Sequence, residues 1–429
     1  MPLRPYARLL RRNPAFTRLY AAQLISFGGD WFATVALLGL VLQLAGSHAL
    51  AAVLLVLQVG PFFLASPVAG VLADRLDRRR LMVAADGLRV LIALGFLLAR
   101  DPGTLWLALL FTALLSTVSA FFEPASSAAL PNLVEPEDLA PANVLMSSAW
   151  GTMLAVGAGL GGLVASLLGR DAAFVLNAAS FLVSGLLIWS IRRPFSQASR
   201  SAGAEAVDLP AGFLSAFGET LALARSSRHI TALLLSKTTF AVGSGVILFL
   251  AVFATDVFHA GELGIGLLFA ARGLGALIGP FLARSMTGLD DRGLVRGIGG
   301  ALLVFLISYL LFPAAPSIWL AALFVFGGHL GGGAQWTLSS YGLQRAAPDR
   351  IRGRVFSIDF ALVTLTMTVS TLVGGALSTL LGPHGAIYVL LGLAAVAAAG
   401  WLLLTRPLRA APASTADAPY PTAMEEGRQ

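Results

Sequence analysis

The feature that most constrains this chain is a succession of apolar runs, each close to the length that crosses a bilayer. A spanning helix needs about 20 mostly apolar residues. Reading for such runs between Arg, Pro and Gly breaks gives twelve, near 16–45, 49–73, 81–99, 104–122, 142–168, 172–191, 230–255, 262–283, 296–312, 317–342, 356–381 and 384–404. None shows the alternation of a membrane β-strand, and continuous apolarity of this length satisfies its backbone in lipid only as helix. The expected class is an all-α membrane protein with twelve transmembrane helices. Of the 429 residues 57% are hydrophobic and 12% charged, where a soluble domain carries about a quarter charged. The formal net charge of +7 would suggest an anionic partner in a soluble protein. Here the basic residues sit between the apolar runs, so no nucleic-acid partner is expected. Without Cys there is neither a disulfide nor a thiolate metal site, and no metal is expected.

The arginines also orient the chain. With a cytoplasmic N-terminus, that side receives groups such as Arg8, Arg11 and Arg12, then Arg75 and Arg78 to Arg80, Arg192 and Arg193, and Arg350, Arg352 and Arg354; the other side receives Arg100 and Arg170. The asymmetry predicts both termini inside. Domain boundaries follow: an N-terminal six-helix bundle over 1–192, a cytoplasmic linker over 193–229, a C-terminal six-helix bundle over 230–409 and a disordered cytoplasmic tail over 410–429. Within the linker, Phe213, Leu214, Phe217, Leu221 and Leu223 recur at roughly helical spacing and predict a short amphipathic helix on the inner membrane surface.

Between the second and third runs lies Gly70-Val-Leu-Ala-Asp74-Arg75-Leu-Asp77-Arg78-Arg79-Arg80. It resembles the signature loop of the major facilitator superfamily, with Asp77 where that loop has a Gly. Asp tolerates a left-handed turn better than most residues, so the turn is expected to survive. The resemblance implies two pseudo-symmetric six-helix bundles with both termini inside, and a cytoplasmic gate of Gly70, Asp74, Arg75 and Arg78. An ordinary basic inner loop would carry the same charges. A weaker second copy stands at Gly279-Pro280 to Arg284 with Asp290, Asp291 and Arg292.

Gly157-Ala-Gly-Leu-Gly161-Gly162 matches a dinucleotide fingerprint as a string, but no strand precedes it. It is closer to the Gly-rich fifth-span element of superfamily exporters, with Ala158 in place of Pro. Gly157, Gly161 and Gly162 then serve helix packing. Phe121-Phe122-Glu123-Pro124, Asp86-Gly87-Leu88-Arg89 and Arg350-Ile-Arg-Gly-Arg354 resemble the macrolide-efflux and enterobactin-exporter branch of drug:proton antiporters. The fourth run departs from many such antiporters in lacking an Arg-x-x-Gln-Gly-type element.

Ionisable residues inside a span are costly and mark function or a fixed pair. Counting about 1.5 Å per residue from Leu19 puts Asp30 near the midplane. It is the leading proton-coupling candidate, with Arg89 as a switchable partner; Asp86 and Arg89, three residues apart, share a face and would also form a simple pair. His329, beside Gly327-Gly328 and Gly331 to Gly333, is the third proton-coupling candidate. Lys237, the only lysine, and Asp359 lie nearer the inner face, where gate pairing or snorkelling accounts for them. Candidates for the substrate cavity are Gln23, Gln58, Asn143, Trp150, Phe240, Arg272, Gln335 and Trp336, since amides and aromatics among apolar walls suit an amphipathic ligand.

Enzymatic function lacks a candidate: the sole Lys follows Ser236, so no phosphate-cradling loop exists, and no nucleophile elbow or His-metal cluster appears. The expected function is a secondary exporter of amphipathic drug- or siderophore-like molecules, driven by a proton gradient with no cofactor, acting as a monomer in a bacterial inner membrane among lipid. A lipid or lysolipid flippase, an uncoupled facilitator and a ligand-binding sensor are the alternatives.

Overall fold

The computed structural model describes residues 4–195, 218, 221–222, 224–225, 227–286, 290–347 and 352–410. Among them the secondary structure is helical throughout, with no strand. Most of the linker expected at 193–229, with Phe213, Leu214, Phe217 and Leu223 of its amphipathic helix, lies outside the described residues, as do Arg350 and the tail from 411 onward, while Leu221 is helical and exposed.

After a short α1 (Arg4–Arg12), the first half contains α2 (Pro14–Ala45), α3 (His48–Arg75), α4 (Arg78–Gly95), α5 (Leu105–Leu133), α6 (Leu139–Leu168) and α7 (Arg170–Trp189). The second half begins with α8 (Arg228–Gly243), which continues through a 3-10 turn into α9 (Leu248–Val252) and a π turn at Phe253–Val257. It goes on with α10 (Gly261–Met286), α11 (Asp291–Leu311), α12 (Ile318–Ala346), α13 (Arg352–Leu404) and α14 (Arg406–Ala410). α13 breaks at Gly382, whose φ of 70° only Gly takes easily, followed by Pro383. Among the described residues ten stretches are long and apolar enough to cross a membrane, the two arms of α13 counted as one; α12, interrupted by His329, Gln335 and clustered glycines, is not among the ten. Large apolar side chains such as Leu64, Leu91, Trp319, Leu380 and Leu403 are exposed around the helices, the surface that lipid requires.

Neighbouring helices are antiparallel, as their short connections dictate, and the two halves repeat one pattern. α2 packs on α6 and α3 on α5; correspondingly, α8 packs on the first arm of α13 and α10 on α12. The loops match as well. Asp77 N-caps α4, its side chain accepting from the Arg80 N–H at 2.8 Å, and Asp290 N-caps α11 by accepting from the Gly293 N–H at 3.3 Å. Asp77 has φ −62° and ψ 112°, so the left-handed turn expected of it is replaced by extended backbone and a cap.

Glycines set how closely the halves meet. A Cβ added at Gly162 would lie 2.6 Å from the Glu262 carbonyl oxygen and 2.9 Å from Gly266 Cα; at Gly273 it would lie 2.4 Å from the Ala155 nitrogen. This antiparallel α6–α10 seam, with Gly375 of α13 against His48, Ala49 and Ala52 of α3, joins the halves at the end opposite the N-terminus. An ion pair and a histidine–carboxylate contact cross at the same end: Arg170 with Glu262, and His48 Nε2 with Asp256 Oδ2 at 2.8 Å, the other His48 nitrogen meeting Ser378 Oγ at 2.7 Å. Gly157 and Gly161 instead serve the α2–α6 contact inside the first half, facing Trp31 and Phe32.

Candidate functional site

Between the halves lies a cavity of about 720 Å³, within the range of small-molecule sites. Its first-half wall comes from α2 to α6. Gln23, Asp30, Trp31, Gln58, Glu123, Asn143 and Trp150 all line it. The second half contributes Ile247, Phe269, Arg272 and, from α13, Thr364, Met367, Thr368 and Thr371.

The polar wall is organised around Arg89. Its guanidinium is 3% exposed and donates to Asp86 Oδ1 at 3.0 Å and Ser26 Oγ at 3.1 Å. Phe122 and Phe181 place their rings 4.6 and 4.9 Å from its Cζ. Asp86 is completed by the Ser184 hydroxyl at 2.7 Å. Arg89 therefore spends its direct ion pair on the residue one helical turn away, behind the cavity wall, and not on Asp30. Asp30 and Glu123 reach the cavity without an ion pair among the described residues. Gln23, itself buried, donates to Glu123 Oε1 at 2.8 Å and accepts from Ser126. Gln58 donates to Thr34 Oγ1 at 3.1 Å, while Asn143 turns its amide back onto the Leu139 carbonyl. Trp31 links the walls, with ring centroids 5.7 Å from Phe269 and 6.5 Å from Trp150.

Glu123 is the residue that sequence reasoning left out of the site. It lies one residue beyond the apolar run at 104–122 and just before Pro124. In the structure α5 continues through Pro124 and Pro131 to Leu133, since neighbouring helices in a membrane bundle can satisfy the carbonyls a proline frees. The signal was present in the acid itself, flanked by apolar residues.

Other expected site residues fall elsewhere. His329 does not line the cavity; its Nε2 accepts from Arg272 Nε at 3.2 Å, while Nδ1 faces Tyr309 Oη at 3.1 Å and the Val325 carbonyl at 3.3 Å. Accepting from a guanidinium requires Nε2 to be unprotonated, so in this geometry His329 is a neutral acceptor that holds Arg272 from behind. Phe240 packs on Phe305 at 4.5 Å in the core of the second half. Gln335 donates to the Ser236 carbonyl, and Trp336 covers Lys237 Nζ at 5.0 Å. None of these three lines the cavity; Gln335 and Trp336 of α12 turn toward α8 instead.

The gate candidates are also redistributed. Among the described residues Gly70 has nothing within 4 Å of an added Cβ. The Asp74 side chain lies outside the described residues, and Arg75 is exposed. Arg78 is buried and donates to the carbonyls of Ala73, Ala128 and Phe195, all in its own half. Asp359 pairs with Lys237 Nζ at 2.5 Å, both 3% exposed, inside the second half. That pair ties α8 to α13 and does not bridge the two halves.

A family model described as transmembrane secretion effector matches residues 4–426. The chain belongs to that family. Its relatives include BacE of Bacillus subtilis (strain 168), named for bacilysin export, 29% identical over 92% of this chain and 94% of the relative. The multidrug efflux pump Tap of Mycobacterium bovis (strain BCG / Pasteur 1173P2) is 28% identical over 88% and 90%. Among solved structures, a bacterial homologue of the human lysosomal transporter Spinster, inward-facing and occupied, superposes with a TM-score of 0.73 at 16% identity, covering 95% of this chain and 97% of that one. That likeness supports the fold alone. The transmembrane secretion effector relatives are transporters of the major facilitator type, so this chain is a membrane transporter and not an enzyme.

Proposed function

We propose that this transporter is a twelve-span secondary exporter, both termini inside a bacterial inner membrane, acting as a monomer. It moves amphipathic small molecules outward by alternating access in exchange for protons. The observation that carries the reading is a cavity between two like-built halves, with unpaired Asp30 and Glu123 in its wall and a Gly-lined seam closing one end. A carboxylate in such a wall can take a proton from one side and release it to the other as the halves rock. The positive-inside arrangement of arginines makes the closed end the outer one, and export fits relatives named for bacilysin and multidrug efflux. No cofactor is needed when the gradient supplies the energy. One observation favours an uncoupled facilitator or flippase instead: α5 carries no Arg.

Proteoliposomes with an imposed pH gradient test the reading, comparing wild type and Asp30→Asn against lipophilic cations, macrolides and siderophores. Gradient-driven flux that loses its gradient dependence in Asp30→Asn supports coupled export. Wild-type flux indifferent to the gradient transfers the case to the facilitator, accumulation in the opposite leaflet to the flippase, and binding without flux to a sensor.

A further inference from the structure

The charges of the cavity are divided between its two walls. The first half presents Asp30 and Glu123, with Arg89 already held by Asp86 and Ser26. Among the described residues the second half presents a single ionisable side chain to the cavity, Arg272. Among the described residues Arg272 has no carboxylate partner: its Nε donates to His329, and its Cζ stands 5.8 Å from the Phe269 ring. Its two terminal nitrogens are thus the donors left for the cavity, held in place from behind by His329, which Tyr309 and Val325 fix in turn. A guanidinium held at Nε presents its remaining fork to a planar anion such as a carboxylate. Trp31, next to Asp30, meets Phe269, next to the Arg272 guanidinium, so an aromatic bridge connects the oppositely charged walls.

We propose that the cargo is amphoteric: a protonated amine set against Asp30 and Glu123, a carboxylate set against the Arg272 fork, and an apolar body along Trp31 and Phe269. The proposal rests on the export reading and narrows its substrate class. A purely cationic cargo would leave Arg272 desolvated with no partner, and a purely anionic one would do the same to two carboxylates. Either arrangement is costly in a low-dielectric site.

The test uses the full chain in proteoliposomes and four forms of one dipeptide, alanyl-phenylalanine: the free zwitterion, its C-terminal amide, its N-acetyl form and the doubly blocked form. Tetraphenylphosphonium serves as a lipophilic cation. Binding is read from tryptophan quenching and transport from flux. The zwitterion is expected to bind at least about tenfold more tightly than either singly charged form, the scale of one charge-assisted hydrogen bond. Arg272→Gln should erase the difference between zwitterion and amide, and Arg272→Lys should restore part of it. Glu123→Gln should narrow the difference between zwitterion and N-acetyl form, and Glu123→Gln with Asp30→Asn should erase it.

An amide that binds as well as the zwitterion in wild type overturns the proposal even if Arg272→Gln fails to fold. Failure of all four peptides while tetraphenylphosphonium crosses overturns it too and leaves export standing. Failure of every probe to cross removes the export reading and this proposal with it.

Discussion

At the scale of single residues, the buried charges divide into those answered by a neighbour and those that face the cavity. Asp86, Lys237 and Asp359 are answered by partners within their own half; Asp30, Glu123 and Arg272 face the cavity. Removing one member of a buried pair leaves an isolated charge, so Lys237→Ala should cost roughly 3–5 kcal/mol. Replacing both, as Lys237→Met with Asp359→Leu, should cost much less than the sum of the single changes, measured as thermal unfolding in detergent. His329→Leu should destabilise by about 1–3 kcal/mol by leaving the Arg272 Nε–H unmet. Because His329 acts by holding Arg272, His329→Gln should leave the pH profile of transport in place; a displaced profile would return His329 to the proton path. These assignments were only half legible in the sequence. An acid or a histidine in an apolar run announces itself, but whether it meets a partner or a cavity depends on helix rotation. An evenly apolar helix gives little hint of that rotation.

At the scale of helices, far more could be read. The apolar runs and the observed helices coincide within a few residues at most ends, because bilayer thickness fixes helix length and Arg, Gly and Pro mark the turns. Misreadings came where lipid changes the usual meaning of a residue. Pro124 and Pro131 stay inside α5, and Gln335 and Trp336 of α12 pack on α8 and not on the cavity. The Gly string near 157–162 was legible as packing, yet its two partners were not: Gly161 faces α2 and Gly162 faces α10 across the seam. Gly162→Leu should therefore hold the halves apart at the closed end, since its Cβ alone would sit 2.6 Å from backbone oxygen. A single cysteine introduced at Thr371, in a chain that has none, should then be labelled from the closed side several times faster than in the Gly162 parent.

The whole molecule is two like-built halves sharing one cavity and meeting closely at one end. The Arg170–Glu262 and His48–Asp256 pairs lie at that end and are partly solvated, so each is worth up to about 1 kcal/mol. Losing both should shift the balance between open and closed ends several-fold without unfolding the protein. The most direct test of alternating exposure is a cysteine pair across the seam. A Cβ at Gly159 would stand 3.5 Å from Ala270 Cβ, a separation a disulfide spans, and no native cysteine competes. The account predicts that oxidised Gly159→Cys with Ala270→Cys carries no flux in proteoliposomes, and that a reductant restores the flux of the reduced pair. Undiminished flux through the cross-linked protein would contradict it, because cargo would then be crossing without the halves parting.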